Sequence, residues 1–247
     1  MASAGATRGA RGLRDTRRIM ATISDNIQQV RDRIAAACAA AQRPVQSVTL
    51  LAVAKTFGAA DVRAAFAAGQ RAFGENYVQE AIDKMEALAD LRAACEWHLI
   101  GPLQGNKTRV VAERFDWVQS VDRLRIAQRL SEQRPAMLPP LQVCLQVNVS
   151  GEASKSGVAP TETRSLAQAV AALPRVRLRG LMAIPEPAAD LASQRRPQMA
   201  DAKEEMLAAD EGREDPVETE HALDQAEYAL TQAVYRLLGR EARMPRG

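Results

Sequence analysis

Of the 33 basic residues in this 247-residue chain, 28 are arginine and five are lysine. Where positive charge alone is needed the sequence uses arginine, so each lysine draws attention to its amine. Lys55 follows the apolar run Val48-Thr49-Leu50-Leu51-Ala52-Val53-Ala54, which has the length and composition of a strand buried on both faces. In a parallel α/β barrel, strand C-termini form the face that bears active sites, and Lys55 shares strand parity with Leu51 and Val53. A lysine enclosed by apolar neighbours loses solvation for its ammonium form, which populates the free amine that attacks an aldehyde. Schiff-base formation is the chemistry expected there. A lysine that only closes a strand and extends its ammonium into water would suit the same position.

Other residue types are less informative. Cys38, Cys95 and Cys144 show no short paired spacing, and with only His98 and His221 beside them the chain lacks the ligands of a zinc site. Reduced, packed thiols and a cytoplasmic location are expected. Gly151 to Gly157 has the glycines of a phosphate loop but lacks its Gly-Lys-Ser/Thr ending, so a nucleotide site is not expected. Gly105-Asn106-Lys107 at a helix start is a weak anion-site candidate.

The elements that would position these residues alternate. After Val48 to Ala54, short apolar runs recur at Arg71 to Gly74, Glu96 to Gly101, Trp117 to Val121, Leu141 to Val149, and Val176 to Ile184. Between them lie helical spacings: Val62, Phe66 and Ala67, then Ile82, Met85 and Leu88, then Leu166, Val170 and Leu173. Strands alternating with single helices make parallel βα units, and six are recognisable. They fit an open doubly wound sheet or most of a closed (β/α)8 barrel. No Gly-x-Gly-x-x-Gly follows the first run, which argues against a dinucleotide-binding sheet.

Composition bounds the class. No stretch approaches the roughly 18 to 20 apolar residues of a membrane span, so a soluble protein is expected. The net charge of +3 is small, and its basic residues are mostly scattered, so nucleic-acid binding is not expected. The exception is residues 1–19, where Arg8, Arg11, Arg14, Arg17 and Arg18 face only Asp15. That segment is expected to be a disordered or wrongly assigned leader, with Ser24 capping a first helix that carries Ile27, Val30 and Ile34. From about Ser193 charged and Ala-rich residues take over and no seventh or eighth strand is found. Residues 20–192 are therefore read as the barrel region and 193–247 as a divergent helical tail.

Five segments carry a resemblance. They are Leu50 to Thr56, Phe73-Gly74-Glu75-Asn76-Tyr77-Val78-Gln79-Glu80, Trp97 to Lys107, Gln146 to Gly157, and Gly180-Leu181-Met182-Ala183-Ile184. Together, in this order and from about Ser24 to about Pro187, they closely resemble the pyridoxal-phosphate homeostasis protein family of the YggS/PROSC type. The resemblance implies a TIM-barrel-type domain similar to the N-terminal domain of alanine racemase, with pyridoxal 5'-phosphate held as a Schiff base on Lys55. It also places Asn76 beside the cofactor, and His98, Asn148 and Lys155 at motif positions near the same face. From residue type alone, Asn76 also fits a helix cap, His98 a core histidine, and Lys155 a solvated loop charge.

The family closes with a Ser-Met-Gly-Met-Ser and an Arg-Ile-Gly segment, which supply the last two strands and the loops that hold the phosphate. Neither occurs here, and the residues from roughly Arg195 onward are expected not to match the family at all, as a frameshift, a truncation with an unrelated tail or a divergent variant would produce. The barrel is therefore expected to be incomplete. The implied function is a non-catalytic carrier in pyridoxal-phosphate homeostasis, monomeric, with pyridoxal-phosphate-dependent apo-enzymes as recipients. The alternatives are a racemase-like enzyme and a degenerate member with impaired binding. Racemases of this barrel class use a second acid–base group from an additional β domain, and nothing after the barrel reads as β structure.

Overall fold

The computed structural model describes residues 8–149 and 156–184. The chain alternates in the order α1 (Arg8–Ala40), β1 (Ala52–Val53), α2 (Ala59–Ala67), β2 (Ala72–Glu75), α3 (Val78–Ala87), β3 (Glu96–Leu99), α4 (Thr108–Arg114), β4 (Trp117–Val121), α5 (Leu124–Gln133), β5 (Leu141–Gln146), α6 (Pro160–Ala171) and β6 (Val176–Met182). All six strands are parallel, in spatial order β1-β2-β3-β4-β5-β6. Sequential order with a helix between each strand and the next is the winding of a barrel rather than of a doubly wound sheet, whose order reverses at a switch point. Among the described residues the sheet stays open, with β1 and β6 at its edges.

Each strand has two chemically distinct faces. Phe73, Trp97, Leu99, Val118, Val143 and Leu145 pack in one cluster with helix residues such as Val62, Met85, Val111, Ala127 and Val170. Phe73 and Trp97 meet with ring centroids 5.7 Å apart. Residues of opposite parity turn away from those helices. There Leu51, Val53, Ala72 and Ile100 form a second cluster with Val30 of α1, while Ile23 and Ile27 of the same helix join the first.

Several boundaries differ from the sequence expectation. Of Val48 to Ala54 only Ala52–Val53 is strand, because β1 is an edge strand whose single neighbour begins at Ala72. The helix expected to start at Ser24 runs through it from Arg8, so Ser24 caps nothing. The runs at 96–101, 141–149 and 176–184 stop earlier, at Leu99, Gln146 and Met182. Residues 193–247 and the tail assigned to them lie outside the described residues.

Candidate functional site

Lys55 lies one residue beyond the last residue whose backbone joins the sheet, the Ala54 N–H, which donates to the Gly74 carbonyl at 2.8 Å. Parallel strands carry all their C-termini on one edge, so Lys55 after β1, Asn76 after β2 and Asn148 after β5 share that edge. Lys55 is half-buried, less enclosed than the sequence expectation had it. Of the described lysines, 55, 84 and 107, it is the one that directly follows a strand.

Asn76 is held by a close approach. A Cβ on Gly101 would stand 2.2 Å from the Asn76 carbonyl oxygen and 2.7 Å from its Cα, so only glycine lets the ends of β2 and β3 meet in this way. The helix after it does not use Asn76 as a cap: the N-cap is Tyr77, without a side-chain hydrogen bond. Across the same edge the Ser120 hydroxyl donates to the Gly101 carbonyl at 2.6 Å. Asn148 is fixed by its backbone, with its N–H on the Val158 carbonyl at 2.9 Å. Gly157, at φ +130°, packs where a Cβ would come within 2.7 Å of the Asn148 nitrogen. Lys155 lies outside the described residues.

His98 sits deeper, in register with Gly74 on one side and Trp117 on the other. Its ring stacks on Trp117 at 5.1 Å and 13°, and Nδ1 pairs with Gln119 Nε2 at 3.1 Å. Nε2 is buried without a hydrogen-bond partner among the described residues; Glu96 Oε2 stands 3.8 Å away, beyond hydrogen-bond reach. His98 is therefore held through Nδ1, with Nε2 turned toward the Glu96 carboxylate, which its proximity holds below the ordinary value. Cys144 shares this face, and burial pushes its thiol up to about 12 despite the opposing charge of Arg179. Such a thiol stays protonated and takes no part as a nucleophile at neutral pH.

Behind Lys55 lies a charged cluster that the sequence motifs do not include. Lys84 of α3 is 6% exposed and donates to the Ala54 carbonyl, Glu75 Oε1 and Glu80 Oε1 at 2.6 to 2.8 Å. A signal existed: Lys84 falls on the buried stripe Ala81, Lys84, Met85 and Leu88, where an arginine-rich chain has no surface reason to place lysine. The weak anion candidate at Gly105–Lys107 forms one 3-10 turn ahead of α4, with Asn106 and Lys107 exposed. A cleft of about 410 Å³ lies at the opposite ends of the strands, between α1 and residues such as Thr49, Gln70 and Glu96. It is remote from Lys55.

A pyridoxal-phosphate-type group would fit this edge on its aldehyde side. The strand-end amine of Lys55 and the glycine-made approach at Asn76 supply an amine and a polar residue there, whereas His98 Nε2 is buried and turned toward Glu96 at the start of β3.

The family model of the alanine racemase N-terminal domain matches residues 22–223, which overturns the expectation that the family match stops near residue 195. A pyridoxal phosphate homeostasis protein of Pseudomonas aeruginosa is 65% identical over 175 residues, 71% of this chain and 75% of that protein. The one from Escherichia coli is 55% identical over 176 residues, again 71% and 75%. Among solved structures, PipY of Synechococcus elongatus with PLP bound is 36% identical with a TM-score of 0.62, over 76% of this chain and 82% of that one. Alanine racemase of Corynebacterium glutamicum, 20% identical with a TM-score of 0.58 over 80% of this chain and 53% of that one, shares the fold. By length of match and by identity, the chain belongs to the pyridoxal phosphate homeostasis protein family, built on the alanine racemase N-terminal domain.

Proposed function

We propose that this chain binds pyridoxal 5'-phosphate without turning it over, holding it as a Schiff base on Lys55 and keeping the free aldehyde low. The observation that carries this reading is the placement of Lys55, a lysine directly after a strand on the edge of the sheet where α/β barrels bear their sites. The cofactor supplies an electrophilic aldehyde and a dianionic phosphate when bound. Lys55 provides the amine. Asn76 and Asn148 border the same edge, and His98 and Lys155 are assigned to the cofactor site with them. In the same reading the protein is a cytoplasmic monomer that passes the cofactor to apo-enzymes depending on it. Family membership and the PLP-bound PipY relative support the ligand, and among the described residues no helix is long and apolar enough to cross a membrane.

The test is a titration of the full chain with pyridoxal phosphate, followed by borohydride reduction and peptide mass mapping. The reduced adduct is expected on Lys55, and Lys55→Ala is expected to lose it. If that variant binds and reduces as well as the parent, the assignment is wrong. The same preparations assayed with L-alanine should racemise no faster than free cofactor with lysine; turnover well above that background, lost in Lys55→Ala, would make the protein an enzyme.

A further inference from the structure

The turn that carries Lys55 is closed from outside its own sequence. The Phe57 N–H donates to the Ala54 carbonyl at 3.1 Å, which makes Lys55 and Thr56 the central residues of a tight turn. Thr56 has φ +66°, in the left-handed region that turns normally fill with Gly or Asn and where a β-branched residue is a strong outlier. A strained residue of this kind persists only where its surroundings over-determine it.

Those surroundings come from α3. Glu80 Oε1 accepts the Thr56 N–H at 2.7 Å. The same oxygen takes Lys84 Nζ at 2.8 Å, and Nζ also donates to the Ala54 carbonyl at 2.6 Å and to Glu75 Oε1 at 2.8 Å. A lysine ammonium has three N–H donors. Here one goes to the residue before Lys55, one to the side chain that holds the residue after it, and one to β2. The planar fork of arginine does not offer that arrangement, which accounts for a lysine at this position in an arginine-rich chain.

We propose that Lys84, braced by Glu75 and Glu80, is the positioning residue of the cofactor site: it fixes the Ala54–Phe57 turn and so pre-sets the backbone of Lys55 for reaction with the aldehyde. The proposal rests on the reading of Lys55 as the cofactor lysine. Without the network Thr56 leaves the left-handed region, and Lys55 must be ordered again at each binding event, which weakens binding.

Three variants of the full chain test it: Glu80→Ala, Glu80→Gln and Lys84→Met. Amide exchange over residues 54–57 is measured without ligand, and pyridoxal phosphate is then titrated by absorption. Glu80→Ala, at a half-exposed position, is expected to speed exchange at Thr56 and to weaken binding about 10- to 100-fold, the worth of one charge-assisted hydrogen bond. Glu80→Gln keeps an acceptor for the Thr56 N–H and should restore most of both. Lys84→Met should reproduce the Glu80→Ala pattern; if it does not fold, the Glu80 pair still decides. Unchanged exchange and unchanged affinity in Glu80→Ala, beside a Lys55→Ala variant that loses binding, overturn the positioning role and leave the Lys55 reading standing. Normal binding by Lys55→Ala overturns the Lys55 reading instead.

Discussion

Glu75 and Lys84 are joined where water does not reach, at 0% and 7% side-chain exposure, unlike the open Arg63–Asp90 pair at 48% and 58%. An exposed pair of that kind contributes little to stability. Burial is the largest influence on Glu75 and pushes its carboxyl from 4.5 up to about 7, although the hydrogen bond and charge of Lys84 pull it down. Burial raises Glu80 as well, but the Lys84 and Thr56 hydrogen bonds and the Lys84 charge outweigh it and hold that carboxyl below its ordinary value. At neutral pH Glu80 therefore carries the charge facing Lys84, while Glu75 is near half protonation. An acid whose folded value lies above its unfolded one holds a proton that the unfolded chain has released, so between pH 4.5 and about 7 stability falls as pH rises. The most that can be lost is on the order of 3 kcal/mol. Glu75→Gln removes this titration, so the stability difference between parent and variant should move against the parent across that window. Paired denaturant titrations measure it, and a flat difference would show that Glu75 is ionised throughout. The scarcity of lysine applies to Lys84 on its apolar stripe as much as to Lys55, but the partners of its amine are not legible in the sequence. That Lys84 meets a carbonyl thirty residues earlier is a tertiary fact without local signature.

At the scale of elements, the strands were legible because parallel strands between helices read as short apolar runs: β4 agrees at both ends, and β2 is shifted by one residue. The longer runs overshoot because apolar character continues past the last paired residue. A ladder needs a neighbour opposite, and the sequence does not say where the neighbour ends. In the sequence Gly101 is only one letter of a motif, yet it sets how closely the ends of β2 and β3 meet. A methyl there would stand 2.2 Å from the Asn76 carbonyl oxygen, a backbone atom that cannot swing aside. Gly101→Ala is therefore expected to destabilise the chain by about 1 to 3 kcal/mol through overpacking and to weaken pyridoxal-phosphate binding by moving Asn76. Gly105→Ala is the control, since a Cβ there meets nothing within 4 Å. Denaturant midpoints and cofactor titrations on both variants decide it: equal behaviour would mean that the strand ends adapt freely and that Asn76 does not depend on the close approach.

For the whole molecule, the six βα units follow from the sequence, since local patterning sets element type. Their winding does not, because the same alternation suits a doubly wound sheet as well as a barrel and the sequential strand order is a property of the fold. Closure does not follow, because it depends on strands that must pair with β1 and β6. The consequence falls on the phosphate. In barrels of this class a phosphate commonly sits on the loops after the last two strands and on a nearby helix N-terminus, and the Ser-Met-Gly-Met-Ser and Arg-Ile-Gly segments do not occur as such in these 247 residues. Hydrogen bonds to a charged group contribute about 1.5 to 3 kcal/mol each, so lacking two or three corresponds to roughly 3 to 9 kcal/mol, or about two to six powers of ten in affinity. Reaction of Lys55 with an aldehyde does not need those loops, since its turn is held by α3. Pyridoxal and pyridoxal phosphate are therefore expected to bind with similar, weak affinity, in contrast to a relative that retains both closing segments. Parallel titrations of the two ligands with this chain and with the Pseudomonas aeruginosa relative measure the difference directly. The family-model match to residue 223 sets the opposing outcome. Tight binding that depends strongly on the phosphate would mean that residues beyond β6, or the turn at Gly105–Lys107, rebuild the anchor without the family's closing motifs.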